Sequence, residues 1–279
     1  MNRFRLGLTD VGNVCMIQHV HCMKDVIIIG LQDTMEERSM EQDQGLIDFH
    51  SHILPGIDDG SRSTAQSLEM MKLELDQGVR TIVATPHFYA DKVSIDTFLT
   101  RRQHAYDKVM HAIEEEELDA PRFHLGAEVY YFGGIGKAEM LPKLCMGDSD
   151  IVLLEMPFCQ WTKDMLENVE QILNKQKLHI ILAHIERYYD YQKKKDIWNA
   201  IFDLPLYAQI NAGSFLNWKK RGRCLKFLKE DWDIVLGSDC HNTETRVPNL
   251  EPGREVIANK LGGERLAAID ALGERIIPG

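Results

Sequence analysis

The chain has 279 residues, enough for one large domain or two small ones. Hydrophobic residues make up 44% and charged residues 27%, a balance that is typical of soluble globular proteins. Because 43 aspartates and glutamates outnumber 32 lysines and arginines, the net charge of -11 argues against a nucleic-acid-binding protein. The six cysteines form no CxxC pair, and no apolar run reaches the roughly 20 residues that span a bilayer, so we predict a cytoplasmic protein with reduced thiols.

Residues 1–45 do not follow the pattern of the rest of the chain. They contain three internal methionines before residue 36, one aliphatic run at Val26–Ile29 and then the polar stretch Gln32–Gln44. We predict a disordered or loosely attached extension here, followed by a single domain over residues 46–279. A misassigned start codon is the alternative, because Met40 would begin a chain shortly before the first predicted strand.

From residue 46 onwards, short apolar runs alternate with helical patterns. Strands are predicted at Leu46–His50, Thr81–Thr85, His124–Val129, Ile151–Glu155, His179–His184, Tyr207–Asn211 and Ile234–Asp239. Most are continuous apolar runs, as in parallel strands that are buried on both faces. Helices between them are predicted from apolar residues at helical spacing: Leu68, Met71 and Leu75, then Phe98, Tyr106, Val109 and Ile113, then Met165, Val169, Ile172 and Leu173. Seven such βα units predict an α/β fold, a closed or nearly closed TIM-like barrel, with an open doubly wound sheet as the alternative.

The first predicted strand ends in a possible metal-binding motif. Residues 48–52 read Asp-Phe-His-Ser-His, and strand alternation points His50 and His52 to the same side. The glycine-bounded turn that follows adds Asp58 and Asp59, of which only one should face the site, and the spacing does not decide between them.

Five further predicted strands carry a side chain that can bind metal at or near their carboxyl ends. These side chains are His87, Glu128, Glu155, His184, Asp239 and His241. In a parallel barrel the carboxyl ends of all strands meet on one face, and so many buried imidazoles and carboxylates would be costly without a cation. With His50, His52 and Asp59 the set numbers nine, enough for two or three ions. Nitrogen and oxygen ligands without thiolate suit Mn, Fe or Zn and do not distinguish them.

Two arginines follow predicted metal ligands. Arg187 lies just after His184, and Arg246 lies shortly after His241. A guanidinium group beside a metal cluster is suited to a phosphate oxyanion, although either residue could instead form a surface salt bridge. Four aromatic residues close to ligand positions could form a rim around the site or pack beneath the loops: Phe88, Tyr89, Tyr130 and Tyr131.

Cys240 and Arg246 reproduce the CxxxxxR spacing of cysteine-dependent tyrosine phosphatases. The residues between them include no glycine, and the preceding Asp239 would oppose formation of a thiolate. Alternation turns the sulfur of Cys240 away from the two flanking ligands. We therefore predict a packed thiol with no role as a nucleophile.

Together these motifs resemble the PHP (polymerase and histidinol phosphatase) family, and most closely its bacterial metal-dependent protein-tyrosine phosphatases. The similar segments are Asp-Phe-His-Ser-His at 48–52, Asp-Asp-Gly at 58–60, Gly-Val-Arg-Thr-Ile-Val-Ala-Thr-Pro-His at 78–87, Gly-Ala-Glu-Val-Tyr-Tyr at 126–131, Ala-His-Ile-Glu-Arg-Tyr at 183–188 and Ser-Asp-Cys-His-Asn at 238–242. The resemblance covers residues 46 to about 275. Residues 1–45 depart from it, since these phosphatases begin almost at the first strand.

The resemblance implies a distorted seven-stranded barrel, the nine ligands named above with Asp59 preferred to Asp58, and a three-metal site usually associated with manganese. It places Arg187 and Arg246 at the phosphate. It also implies hydrolysis of phosphotyrosine on a bacterial tyrosine kinase that regulates capsule or exopolysaccharide synthesis. The alternatives are a small-molecule phosphatase such as histidinol phosphatase, an amidohydrolase, or a catalytically inactive metal-binding scaffold.

Overall fold

The computed structural model describes residues 45–277, in which strands and helices alternate along most of the chain. The strands of this range are β1 (Leu46–Ser51), β2 (Val79–Ala84), β3 (His87–Phe88), β4 (Arg122–Leu125), β5 (Glu128–Tyr130), β6 (Ile151–Glu155), β7 (His179–Leu182), β8 (Tyr207–Asn211) and β9 (Ile234–Gly237). Its α-helices are α1 (Thr64–Asp76), α2 (Ile95–Glu115), α3 (Lys163–Asn174), α4 (Asp196–Phe202), α5 (Gly213–Leu216), α6 (Trp218–Phe227), α7 (Leu250–Leu261) and α8 (Gly263–Ile276). Apart from Gly45, the predicted extension over residues 1–45 lies outside the described residues.

The strands pair in parallel throughout and form two sheets. One has the order β1-β2-β4 and the other β3-β5-β6-β7-β8-β9. Beyond the ends of β1 and β9, the amide of Asp239 donates to the carbonyl of His50 at 2.7 Å, and the amide of His52 donates to the carbonyl of Cys240 at 2.9 Å. The first and last strands are therefore neighbours, as a distorted barrel requires and an open doubly wound sheet does not. The predicted α/β fold with parallel strands is confirmed.

One predicted strand is divided. The segment predicted as His124–Val129 forms β4 and β5, with Gly126 and Ala127 between them. The neighbouring segment of chain is interrupted at the same level, between β2 and β3. Pro86 lies there and has no amide hydrogen with which to continue the hydrogen bonds between strands. The short β3 was not predicted, because two residues give no alternation to read.

Helix boundaries follow local capping signals. The side chain of Ser63 accepts a hydrogen bond from the amide of Gln66 at the start of α1. After the end of α1, Gly78 has a φ of 79°, a left-handed conformation that glycine adopts without strain, and the chain turns into β2. Among residues 45–277, no helix combines the length and apolar character needed to cross a membrane.

The strands present apolar side chains to two separate clusters. The smaller cluster includes Phe49, Leu153 and Val235 and is joined by Leu272 of α8. The larger cluster packs the opposite strand faces against the helices. Because side chains alternate along a strand, the face that carries Leu153 continues to Glu155. The fold therefore brings polar side chains to the carboxyl ends of strands whose earlier residues fill an apolar core.

Gly237 permits close packing beneath this polar end. A Cβ atom at this position would lie 2.6 Å from the Cβ of His50 and 2.8 Å from Nε2 of Gln209. We expect Gly237→Ala to lower the free energy of unfolding by about 1–3 kcal/mol, because neither neighbour can move freely. Gly222→Ala, in an exposed turn of α6, is the matched control and should be neutral or slightly stabilising. Equal denaturation midpoints for the two variants would contradict this packing argument.

Candidate metal centre

Glu128 lies at the centre of the histidines that the sequence predicts as ligands. Its Oε1 lies 2.7 Å from Nε2 of His184. Its Oε2 lies 2.8 Å from Nδ1 of His87, 3.3 Å from Nε2 of His50 and 3.4 Å from Nε2 of His52. The side chain is 1% exposed, so these atoms meet in a largely dehydrated site.

The other predicted ligands extend the cluster in two directions. Oδ1 of Asp239 lies 3.7 Å from Nε2 of His50 and 3.7 Å from Nδ1 of His241. Oδ1 of Asp59 lies 3.6 Å from Nε2 of His241, and Oε1 of Glu155 lies 3.6 Å from Nε2 of His184. All nine predicted ligands thus fall into one continuous group of contacts.

The cluster has the chemistry of a cation site. Nε2 of His50 and Nε2 of His52 face each other at 3.1 Å. Several buried atoms of the cluster find no hydrogen-bond partner among the described residues, including Nδ1 of His184 and Nε2 of His241. Burial and the nearby charge of Glu128 raise the pKa of Glu155 to about 7. Divalent cations would satisfy these atoms.

Seven of the nine predicted ligands, all except His184 and Asp239, fall into three overlapping groups, each with its atoms within 4.8 Å of one another. These groups are His52-Asp59-His87-His241, His50-His52-Glu128 and His87-Glu128-Glu155. His52, His87 and Glu128 each belong to two groups, so neighbouring ions could share a ligand. The residues present therefore fit more than one metal ion.

Asp58 and Asp59 have different surroundings, which the spacing could not distinguish and for which the resemblance preferred Asp59 as the ligand. Asp59 is 65% exposed and points an oxygen at His87 and His241. Asp58 accepts hydrogen bonds from Nδ1 of His52 at 2.8 Å and from the amide of His87 at 2.9 Å. Although burial alone would raise it, the contact with His52 brings the pKa of Asp58 down to about 2. Asp58 therefore fixes the His52 ring with Nε2 towards the cluster, as carboxylates commonly do for metal-binding histidines.

Two predicted ligand positions have left-handed backbone conformations. His184 has a φ of 28° and Asp239 a φ of 53°, each two residues beyond the end of its strand. Non-glycine residues adopt such angles at a cost of about 1–3 kcal/mol, and strained conformations of this kind cluster at functional sites. The turn lets His184 and Asp239 reach the cluster although their strands have already ended.

Sequence reasoning missed the contribution of β8. Oε1 of Gln209 accepts a hydrogen bond from the amide of His184 at 2.6 Å and lies 3.2 Å from Nδ1 of His50. Nδ2 of Asn211 donates to Oδ2 of Asp239 at 2.7 Å. Gln209 and Asn211 lie on the same face of β8, because side chains alternate along a strand. The signal for this role in the sequence was therefore a pair of amide side chains near the end of a predicted strand.

The two predicted arginines flank the cluster and both contact Asp239. Nη2 of Arg246 donates to Oδ1 at 2.7 Å, and Nη1 of Arg187 donates to Oδ2 at 3.4 Å. The Arg187 guanidinium also lies 4.9 Å from the centre of the Phe158 ring. The Arg246 side chain is 40% exposed and the Arg187 side chain is 33% exposed, so both guanidinium groups also face solvent at the opening.

The four aromatic candidates divide into two pairs. The Tyr89 ring lies 5.4 Å from the His87 ring and 5.5 Å from the Tyr130 ring, at the edge of the cluster. Phe88 is fully buried, and Tyr131 is 7% exposed. Only Tyr89 and Tyr130 are therefore placed to form a rim.

The thiol of Cys240 points away from the cluster. Its sulfur lies 3.3 Å from Oγ of Ser51 and 3.5 Å from Oε1 of Glu74. Burial and the nearby carboxyl groups of Glu74 and Asp48 raise the pKa of the thiol well above its usual value. We expect Cys240→Ser to retain most of the activity, because serine keeps these hydrogen bonds. Loss of turnover in a folded variant with unchanged metal content would assign a catalytic role to the thiol.

The chain is similar to known proteins over this whole domain. The sequence profile of the family described as "Capsular polysaccharide synthesis, CpsB/CapC" matches residues 46–272. Tyrosine-protein phosphatase CpsB of Streptococcus pneumoniae is 30% identical over 237 residues, covering 79% of this chain and 93% of the relative. Tyrosine-protein phosphatase YwqE of Bacillus subtilis strain 168 is 26% identical over 227 residues, covering 78% of this chain and 86% of the relative.

A solved structure from the YwqE and CpsB metal-dependent tyrosine phosphatases has the same fold. It superposes with a TM-score of 0.73 at 23% identity and covers 83% of this chain and 94% of that chain. The family predicted from the sequence motifs is thus confirmed. From the extent of the profile match, the chain belongs to the CpsB/CapC family of capsular polysaccharide synthesis.

Proposed function

We propose that this chain is a metal-dependent protein-tyrosine phosphatase. The observation that carries the proposal is the Glu128-centred group of nine ligand residues, flanked at its opening by Arg187 and Arg246. Relatives that cover most of the domain are tyrosine-protein phosphatases, and the family is one of capsular polysaccharide synthesis. The site and the relatives therefore support the same activity.

The proposed metal ligands are the nine residues predicted from the sequence. They are His50, His52, Asp59, His87, Glu128, Glu155, His184, Asp239 and His241. We propose two or three divalent ions, most suitably Mn²⁺, with Fe or Zn compatible with the same nitrogen and oxygen donors. Bound ions would supply Lewis acidity to the phosphate and a means of activating water at neutral pH.

The protein residues would position the substrate around that chemistry. Arg187 and Arg246 would bind phosphate oxygens and neutralise the charge that develops on them during transfer. Tyr89 and Tyr130, at the rim, offer a surface for the ring of phosphotyrosine. Because a tyrosine leaving group has a solution pKa of about 10, its departure needs less help from a general acid than that of serine.

We further propose that the protein substrate is a phosphorylated bacterial tyrosine kinase that regulates capsule or exopolysaccharide synthesis. The family description and the names of the relatives support this context. The proposed compartment is the cytoplasm, because the four cysteines of the described range are free thiols.

Comparative kinetics would test the proposed activity. We would measure kcat/KM with Mn²⁺ on a phosphotyrosine peptide, on the same peptide with phosphoserine, and on histidinol phosphate. The proposal predicts the highest value for the phosphotyrosine peptide. A higher value for histidinol phosphate would favour the alternative, a small-molecule phosphatase.

A further inference from the structure

A groove of about 610 Å³ begins at one of the two arginines beside the metal centre. This groove, here called the basic groove, is lined by Phe158, Glu186, Arg187, Asp190, Tyr191, Lys219, Lys220 and Arg223. Arg187 belongs both to this groove and to the candidate active site, where it contacts Asp239. The groove and the metal centre are therefore adjacent at Arg187, so one extended ligand could contact both.

The groove contains positive charge that the protein itself does not neutralise. Arg223 pairs with the carboxylate of Asp190 through two contacts of 2.6 and 2.8 Å. Glu186, the other acidic residue in the lining, is buried and accepts a hydrogen bond from Ser214. Within residues 45–277, neither Lys219 nor Lys220 forms an ion pair with a carboxylate. In a chain of net charge -11, this is a local surface suited to an anionic ligand.

Two exposed aromatic side chains accompany the same groove. Tyr191 and Trp218 are two of the four large hydrophobic side chains that are exposed in the described part of the chain, and Tyr191 lines the groove. Trp218 is 77% exposed and immediately precedes Lys219 on α6. Single exposed apolar residues are unremarkable, but aromatic side chains such as Tyr191 and Trp218 are enriched at protein-binding surfaces.

We infer that the basic groove binds acidic residues that flank the phosphotyrosine of a peptide or protein substrate. This inference rests on the proposed phosphatase activity and specifies its substrate class. A peptide with its phosphate between Arg187 and Arg246 continues past Arg187, and an extended chain advances roughly 3.3 Å per residue. Aspartate or glutamate side chains a few positions away would meet Lys219 and Lys220. A concave groove joined to the active site fits such a chain better than it fits a flat lipid surface.

Peptide kinetics at low ionic strength would test this inference. One phosphotyrosine peptide carries three glutamates on each side of the phosphotyrosine, and its partner carries glutamines at the same positions. We expect wild-type protein to prefer the glutamate peptide by about five- to tenfold in kcat/KM, as a few half-exposed charge contacts allow. The preference should shrink as salt is raised, because these charges are accessible to counterions.

Charge reversal would assign the preference to the groove. In the double variant Lys219→Glu and Lys220→Glu the preference should disappear or reverse. Both residues lie in the first turn of α6, where glutamate is favourable, so we expect the helix to form. The matched control is Lys226→Glu with Lys229→Glu, at the exposed end of the same helix region and outside the groove lining, and it should keep the wild-type preference.

The outcomes separate this inference from the proposed function. Equal kcat/KM on the two peptides, or an unchanged preference in the double variant, would overturn the groove assignment while leaving the phosphatase activity intact. Binding of the wild-type chain, but not the double variant, to anionic lipid vesicles with no peptide preference would overturn it in favour of a membrane contact. Failure of the wild type to hydrolyse either peptide would contradict the proposed function and this inference with it.

Discussion

Glu128→Gln should lower turnover on a phosphotyrosine peptide by at least about 100-fold, because it removes the central negative charge of the metal centre. The two oxygens of Glu128 lie within 3.4 Å of nitrogen atoms from four histidines. Glutamine preserves the shape of the side chain but replaces the carboxylate with a neutral amide, which would bind cations more weakly. The variant should therefore contain less bound metal as well as turn over more slowly.

The isosteric change Glu139→Gln, at an exposed position, is the control for Glu128→Gln. Metal content and steady-state kinetics should be measured for both folded proteins. Near-normal turnover and full metal occupancy in Glu128→Gln would remove Glu128 from the proposed ligand set.

Arg187→Ala and Arg246→Ala should weaken transition-state binding without removing metal. Each guanidinium contacts Asp239 at the opening of the site. From there each could form charge-assisted hydrogen bonds to a bound phosphate group. We expect each variant to lose about 2–4 kcal/mol of transition-state binding free energy, calculated from its kcat/KM relative to that of the wild type. Lysine at either position should restore part of the loss, because it keeps the charge but not the planar fork.

Metal content measured in the same samples separates this prediction from the previous one. Arg62→Ala, at an exposed position before α1, is the control and should leave kinetics unchanged. Unchanged kinetics in Arg187→Ala or Arg246→Ala would indicate that this arginine does not bind phosphate and only forms a surface salt bridge.

Much of the site could be predicted because parallel strands place their carboxyl ends together. Residues as distant in sequence as His50, Glu128 and Asp239 could be grouped from their positions at strand ends, and the structure brings their side chains within contact distance. Alternation of side chains also predicted that the thiol of Cys240 points away from Asp239 and His241. Its sulfur faces Ser51 and Glu74 instead.

The remaining features depend on geometry that one-dimensional patterns do not contain. The choice between Asp58 and Asp59 is made by the turn that follows His52, which buries one carboxylate behind the imidazole and exposes the other. The amides of Gln209 and Asn211 have no charge that would single them out, and their role follows from neighbouring strands. The division of the third predicted strand requires knowing that its neighbour contains Pro86.

Phosphate release from a phosphotyrosine peptide, followed in one preparation before metal removal, after removal and after reconstitution, tests the central claim most directly. Metal analysis at each stage confirms what the protein contains, and circular dichroism confirms that it stays folded. Activity should fall to background when the metal is removed and return when Mn²⁺ is added, because the buried carboxylates and imidazoles around Glu128 are arranged to hold cations. Full activity in protein shown to be free of metal would contradict the central claim.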